Sequence, residues 1–262
     1  MAEQPVLLAI REPAAWITVN RPLAMNALTP AVLTGIDTAL NEIEQHPEVR
    51  AVVFTGSGRA FCAGADLKFI RDSSGGDPRA LQNFLQLVYT VLNRVERFPR
   101  PTIAAVNGLA LAGGLELTLC CDLVVAAESA KLGDAHANFG LIPGGGSSVR
   151  LPRKIGPTRA KYLMYTGEFL PARELLATGL VNEVVPDAEL ASAVDRLVAK
   201  LATKSPVGLA RMKQLVDDGL NQPEDTALRL EVLAFDLHAA SEDMREGLAA
   251  FEEKRTPQFK GR

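Results

Sequence analysis

The chain is poor in aromatic side chains, in cysteine and in long apolar runs. Only 5% of its 262 residues are Phe, Tyr or Trp, so aliphatic side chains must build the interior from a 47% hydrophobic content. No apolar run approaches the roughly 18–20 residues of a membrane span. Positive charge is not in excess either. The 28 Lys and Arg face 31 Asp and Glu, a net charge of −3, which excludes a broad basic footprint for nucleic acid. An anionic ligand would have to be met by local cations. The three cysteines, Cys62, Cys120 and Cys121, lack metal-ligand spacing, and the adjacent pair reads as small core residues. Met1-Ala2-Glu3-Gln4-Pro5 has neither the basic start nor the apolar stretch of a signal peptide. The expectation is a soluble cytoplasmic protein with no membrane or nucleic-acid partner and no metal. Its length suits one large domain, or one domain with a small appendage.

Two glycine-bearing segments stand out, Phe61-Cys62-Ala63-Gly64-Ala65-Asp66-Leu67 and Asn107-Gly108-Leu109-Ala110-Leu111-Ala112-Gly113-Gly114-Leu115-Glu116-Leu117. Each follows an apolar run that reads as a strand and leads into a helical pattern. Each can therefore aim backbone N–H groups outward from a helix start. Two such donors converging on one point make an oxyanion hole, and Glu116 follows the second segment's glycines. An oxyanion site beside a carboxylate base suits enolate chemistry. The competing reading is that these glycines only permit tight turns, and that Glu116 only favours a helix N-terminus.

Strand and helix patterns alternate along most of the chain. Residues 6–10 and 16–20 flank Glu12-Pro13 and read as a hairpin. Thr29-Pro30 caps a helix carrying Val32, Leu33, Ile36, Leu40 and Ile43 at helical spacing. Residues 51–55, 102–106 and 123–126 read as strands. Residues 71–78, polar and glycine-rich, read as a mobile surface loop. The helix after it carries Leu81, Leu85, Val88, Leu92 and Val95. Residues 113–121 form a nearly all-apolar helix, hence a central one. The alternation predicts an α/β core of repeated ββα turns over residues 1–190. Residues 191–262 form a C-terminal helical segment, broken at Ser205-Pro206, Gln222-Pro223 and Ser241. Leu141-Ile142-Pro143-Gly144-Gly145-Gly146-Ser147-Ser148 invites a phosphate-loop reading but lacks the Lys-Ser/Thr ending. It reads instead as a turn shaping a pocket before a helix.

The ordered set of motifs resembles the crotonase (enoyl-CoA hydratase/isomerase) superfamily. The resemblance starts at Asn20-Arg21-Pro22 and Met25-Asn26-Ala27-Leu28. It runs through Ala51-Val52-Val53-Phe54-Thr55-Gly56, both glycine segments, Pro101-Thr102-Ile103-Ala104-Ala105-Val106 and Leu141-Ile142-Pro143-Gly144-Gly145-Gly146. It closes at Thr166-Gly167, Gly179-Leu180-Val181 and Phe251-Glu252-Glu253-Lys254-Arg255-Thr256-Pro257. Nearly the whole chain is covered in family order. The resemblance implies an α/β spiral of ββα units whose C-terminal helices pack on the core and on neighbouring subunits, as a homotrimer or a hexamer of two trimers. It also implies an acyl-CoA substrate, with coenzyme A as part of that substrate and no separate cofactor.

Matched residue by residue, the resemblance makes Ala65 and Gly113 the oxyanion donors and Glu116 one of two catalytic glutamates. Ala63, Ala65, Asp66 and Leu67 lie where backbone contacts to coenzyme A are implied, and Lys68 where a lysine approaches its phosphates. Arg21 and Lys260 are further cation candidates, and Asp66 also suits a helix cap. Met25, Leu111, His136 and Leu141 are expected to line the acyl pocket. The second glutamate is absent: twenty residues past Glu116 stands His136, in Gly133-Asp134-Ala135-His136. Three readings follow. His136 replaces the acid; or Glu116 does all proton transfer and His136 positions substrate; or the reaction is not simple hydration. Asp134 is the fallback partner. The resemblance implies that double-bond isomerases keep the second acid and lose the first; this chain does the reverse, so isomerisation ranks below hydration of a 2-enoyl-CoA, which leads. Hydrolysis, C–C cleavage or isomerisation of a CoA thioester follows, and an acyl-CoA-binding protein without hydratase activity is the non-enzyme alternative.

Overall fold

The computed structural model describes residues 4–74 and 78–262. The chain opens with a hairpin of β1 (Val6–Arg11) and β2 (Ala14–Val19), antiparallel with Val6 opposite Val19. Helix α1 (Pro30–Glu44) follows. Thr29 caps it by accepting from the Val32 N–H at 3.3 Å, and Val32, Leu33, Ile36, Leu40 and Ile43 are all buried. Three successive strand pairs come next: β3 (Ala51–Gly56) with β4 (Ala60–Cys62), β5 (Thr102–Val106) with β6 (Leu109–Leu111), and β7 (Leu123–Ala127) with β8 (Lys131–Gly133). After the first pair lie α2 (Leu67–Ser74) and α3 (Pro78–Glu96), and after the second lies α4 (Gly113–Cys120). The core closes with α5 (Ser147–Ile155), α6 (Pro157–Thr166), β9 (Leu170–Pro171), α7 (Ala172–Leu176) and β10 (Glu183–Val185).

Each pair splits between two sheets. Its first strand joins a six-stranded sheet, ordered β1-β2-β3-β5-β7-β10, and its second joins a four-stranded sheet, ordered β4-β6-β8-β9. From β2 to β10 the larger sheet is parallel, as are β4, β6 and β8. This is the predicted ββα repeat. Successive turns stack one step sideways, so the loops after β4 and β6 become spatial neighbours. Parallel strands buried on both faces read as continuous apolar runs, and all five residues of β5 are buried.

Helix α4 is buried along its whole length. Burial also settles the thiols: it pushes Cys62 and Cys120 up to about 12 and raises Cys121 as well, so none is reactive.

Two local expectations need correction. Arg71–Ser74 are not loop but the last turn of α2, which Asp66 caps and which Phe69 pins against Phe84 with ring centroids 5.1 Å apart. Residues 75–77 lie outside the described residues. In α3 the buried stripe is Phe84, Val88, Val91, Leu92 and Val95, and Leu85, at the stripe's edge, is exposed.

Helix α8 (Leu190–Ala202) buries Leu190, Ala193, Val194 and Val198 and packs on β3, β5 and β7. Beyond it, α9 (Pro206–Gly219), α10 (Glu224–Ala239) and α11 (Glu242–Glu252) complete the chain. Helix α10 has no buried residue and exposes Leu228, Val232, Leu233, Phe235 and Leu237. No helix among the described residues is long and apolar enough to cross a membrane.

Candidate active site

The two glycine segments meet. Leu28 forms a single parallel bridge to Ala65, its N–H donating to Gly64 O at 2.8 Å while Asp66 N–H donates to Leu28 O at 2.9 Å. Gly64 has φ +107°, and a Cβ there would stand 3.0 Å from the Ala112 Cβ and 3.6 Å from the Gly113 N. A Cβ on Gly113 would in turn lie 3.4 Å from the Ala65 N. Only glycine lets the two turns approach so closely. Among the described residues neither the Ala65 N–H nor the Gly113 N–H has an acceptor within the chain. Ala112 holds the second turn with φ 47° and ψ −115°, a conformation costing a non-glycine residue about 1–3 kcal/mol and concentrated at functional sites.

Glu116 lies in the first turn of α4 and is only 3% exposed. Its Oε1 accepts from the Gly145 N–H at 2.7 Å and the Ser147 N–H at 3.1 Å. Among the described residues Oε2 accepts nothing, and it is not one of the sealed, unpartnered oxygens. One oxygen is thus an anchor and the other is available for chemistry. Burial raises the Glu116 pKa, against the lowering effect of the two N–H donors and of His136. That direction suits a general base at neutral pH.

The sequence reading missed this anchor. The run Gly144-Gly145-Gly146 before α5 is a helix start rich in free N–H groups, the usual receptor for an anion. Here the anion is the chain's own Glu116. Arg150 steadies the turn: it donates to Gly145 O at 2.9 Å and to Asn93 Oδ1 at 2.7 Å, and pairs with both Glu96 oxygens at 2.8 and 2.6 Å. The signal was present in the glycine run, but the identity of the anion was not.

His136 begins a short 3-10 turn after β8, and its side chain is 11% exposed. Its Nδ1 lies 3.0 Å from Asp134 Oδ1. Asp134 is fully buried, and its Oδ2 has no partner. Burial alone would lower the His136 pKa. The hydrogen bond and charge of Asp134, with the charge of Glu116, outweigh burial and hold it above the ordinary imidazole value.

The other predicted positions divide. Met25, in a left-handed turn, accepts the Ala63 N–H at its carbonyl at 3.0 Å and so borders the first segment. Leu111 is buried at the end of β6, and Leu141 is half-buried, its N–H donating to His136 O at 3.1 Å. Leu67 and Lys68 are exposed on the first turn of α2. Asp66 is committed to structure, capping α2 through the Lys68 and Phe69 N–H groups and pairing with Arg21 at 3.1 Å. Arg21 also donates to Ala27 O at 2.7 Å, so it braces this turn. Lys260 lies in the tail, its N–H donating to Asp243 at 2.7 Å. An open cleft of about 740 Å³ lies between α5, α6 and α7, lined by Thr158, Arg159, Tyr162 and Glu174 among others. None of the residues above lines it. The buried acid and the free N–H pair, not the size of that cleft, locate the site.

Comparison with known proteins places the chain in a family. The family model for enoyl-CoA hydratase/isomerase matches residues 10–262. The crotonyl-CoA hydratase of Syntrophomonas wolfei is 38% identical over 99% of both chains. The short-chain-enoyl-CoA hydratase of Clostridium acetobutylicum is 38% identical over 95% of both. The crystal structure of an enoyl-CoA hydratase from Bacillus anthracis superposes with a TM-score of 0.93 at 38% identity, covering 99% of this chain and 100% of that one. Two free N–H groups at the mouth of two glycine turns, a buried glutamate beside them and a matching fold over the whole length lead to one family: the chain belongs to the enoyl-CoA hydratase/isomerase family.

Proposed function

We propose that the protein adds water across the 2,3-double bond of a 2-enoyl-CoA. The observation that carries this is the pairing of Glu116, anchored by Oε1 and open at Oε2, with the unpartnered N–H groups of Ala65 and Gly113. The thioester oxygen sits between the two N–H groups. Glu116 Oε2 takes a proton from water as its oxygen bonds to the β-carbon. The double-bond electrons move to the thioester oxygen, and the two donors stabilise that enolate more than the ground-state carbonyl. His136, as imidazolium, delivers a proton to the α-carbon. The proton on Glu116 then returns to His136, and the 3-hydroxyacyl thioester leaves.

Met25, Leu111 and Leu141 line the acyl chain in this reading, while Ala63, Leu67 and Lys68 meet coenzyme A. The exposed Leu228, Val232, Leu233, Phe235 and Leu237 of α10 support a trimer or a hexamer of two trimers, because so many large apolar side chains exposed on one helix suit an interface. Buried, unreactive thiols are consistent with the cytoplasm. The histidine at position 136 favours hydrolysis of the thioester as the second reading. Loss of the conjugated thioester absorbance without release of free thiol, in the wild type but not in Glu116→Gln, supports hydration. Release of free coenzyme A thiol in step with that loss supports hydrolysis instead, because cleaving the thioester destroys the same chromophore.

A further inference from the structure

The mechanism above leaves the buried carboxyl beside His136 unused, that of Asp134. It is fully buried, one oxygen meets His136 Nδ1 at 3.0 Å, and the other has no partner. A buried carboxylate in that condition is costly unless a cation compensates it. Among the described residues the group set against it is His136. The backbone has been bent to bring the two together: Ala135, between them, is left-handed with φ 60°, which costs a non-glycine residue about 1–2 kcal/mol. Residues two apart on an extended strand share a face at a larger separation. The turn at Ala135 lets Asp134 reach back to the ring.

We propose that Asp134 is a positioning residue that keeps the His136 proton on Nδ1 and turns Nε2 toward Glu116, making a carboxylate–imidazole–carboxylate relay that serves as the site's second acid. This rests on the hydration reading. In the relay, Nε2–H protonates the α-carbon and the neutral ring keeps its remaining proton on Nδ1, hydrogen-bonded to Asp134 Oδ1. Nε2 is then the nitrogen that receives the proton held by Glu116, so each cycle ends as it began and no proton is left over. The charges that act most strongly on the ring are Asp134 from its own segment and Glu116 from α4. Helix α6 packs on the same segment. At its C-terminal cap Asn138 Nδ2 donates to Gly167 O at 2.9 Å. Asp134 holds the ring protonated to higher pH than burial alone would allow.

The test is an NMR titration of the full-length protein labelled with ¹⁵N in the histidine rings, assigned with His136→Gln, in wild type and Asp134→Asn. The expected result is a neutral His136 ring protonated at Nδ1 in the wild type, and a titration at lower pH in Asp134→Asn. A neutral wild-type ring protonated at Nε2 overturns the proposal without any variant. An unchanged titration in Asp134→Asn also overturns it. With a short 2-enoyl-CoA as substrate, Asp134→Asn is expected to lower kcat by about 10²-fold, at the low end of positioned acid–base catalysis, with KM nearly constant. The alkaline limb of its pH profile is expected at lower pH. In a His136→Gln background the same change should cost nothing more. An equal further loss there would mean that Asp134 acts on the fold and not through His136. If the wild type hydrates no enoyl-CoA yet the ring titrates as expected, the hydration reading fails and the Asp134–His136 arrangement stands.

Discussion

Gly145→Ala separates the placement of Glu116 from its presence. A Cβ at position 145 would stand 2.5 Å from Glu116 Oε2, 2.8 Å from its Cδ and 2.9 Å from Leu92 Cδ1. The first of these is roughly 1 Å inside ordinary van der Waals contact. The carboxylate cannot simply swing aside, because Oε1 is bonded to the Gly145 and Ser147 N–H groups and the residue is only 3% exposed. Either the loop withdraws or Glu116 leaves its anchor. A displacement of about 1 Å at a reacting group costs on the order of 10² in rate, and overpacking of this kind costs about 1–3 kcal/mol of stability. The assay is steady-state loss of the conjugated thioester absorbance, alongside a thermal melt. Gly156→Ala is the control: its Cβ meets nothing within 4 Å, and its φ of +80°, a strain Gly145 does not carry, costs stability away from Glu116. It should lose stability without losing kcat. A Gly145→Ala enzyme with wild-type kcat would refute the claim that this turn fixes the base.

Other outcomes follow from the same geometry. Glu116→Gln is expected to lose about 10²–10⁴ in kcat, the range of general acid–base catalysis, while still binding a 2-enoyl-CoA by calorimetry. The same variant should also be more stable at neutral pH. Burial raises the Glu116 pKa in the native state, so its favourable share of stability is complete below the ordinary glutamate value and is lost as pH rises through the raised one. Melts of the two proteins should therefore converge in acid and separate at neutral pH, and a constant difference would argue against it. His136→Gln should cut kcat by about 10²-fold with folding intact by circular dichroism, and intact turnover would remove His136 from the chemistry. Gly114→Ala should fail to yield folded protein on expression, because its Cβ would fall 1.9 Å from the Cys62 carbonyl oxygen. Thr29→Ala should cost about 1 kcal/mol through the lost cap, read as a lower melting temperature with unchanged kcat.

Local chemistry made much of the fold readable in advance. Thr29-Pro30 marks a helix start because a hydroxyl can accept an N–H where proline lacks one. Residues 113–121 announce a central helix because an all-apolar face has no solvent side. The C-terminal helices end where Pro and Ser interrupt them. The end of α2 was misread because Ser73, Ser74 and two glycines weigh toward a loop by composition. The cap from Asp66 and the packing of Phe69 on Phe84 carry the helix further than propensity does.

By itself the sequence determined which groups this protein has for its chemistry: two glycine turns, one glutamate three residues beyond a glycine, and a histidine twenty residues further on. Those are properties of residue type and spacing, and spacing survives in any unfolded chain. What those groups face was decided only by the tertiary structure. The Gly145 and Ser147 N–H groups reach Glu116 across 29 and 31 residues. Arg21 is spent on Asp66 across 45 residues. Asp134 turns back on His136 through a left-handed alanine that no propensity favours. A hydrogen bond is set by distance and angle between atoms, and only the stacking of the ββα turns, with the local turn at Ala135, brings those atoms within 3.1 Å of each other.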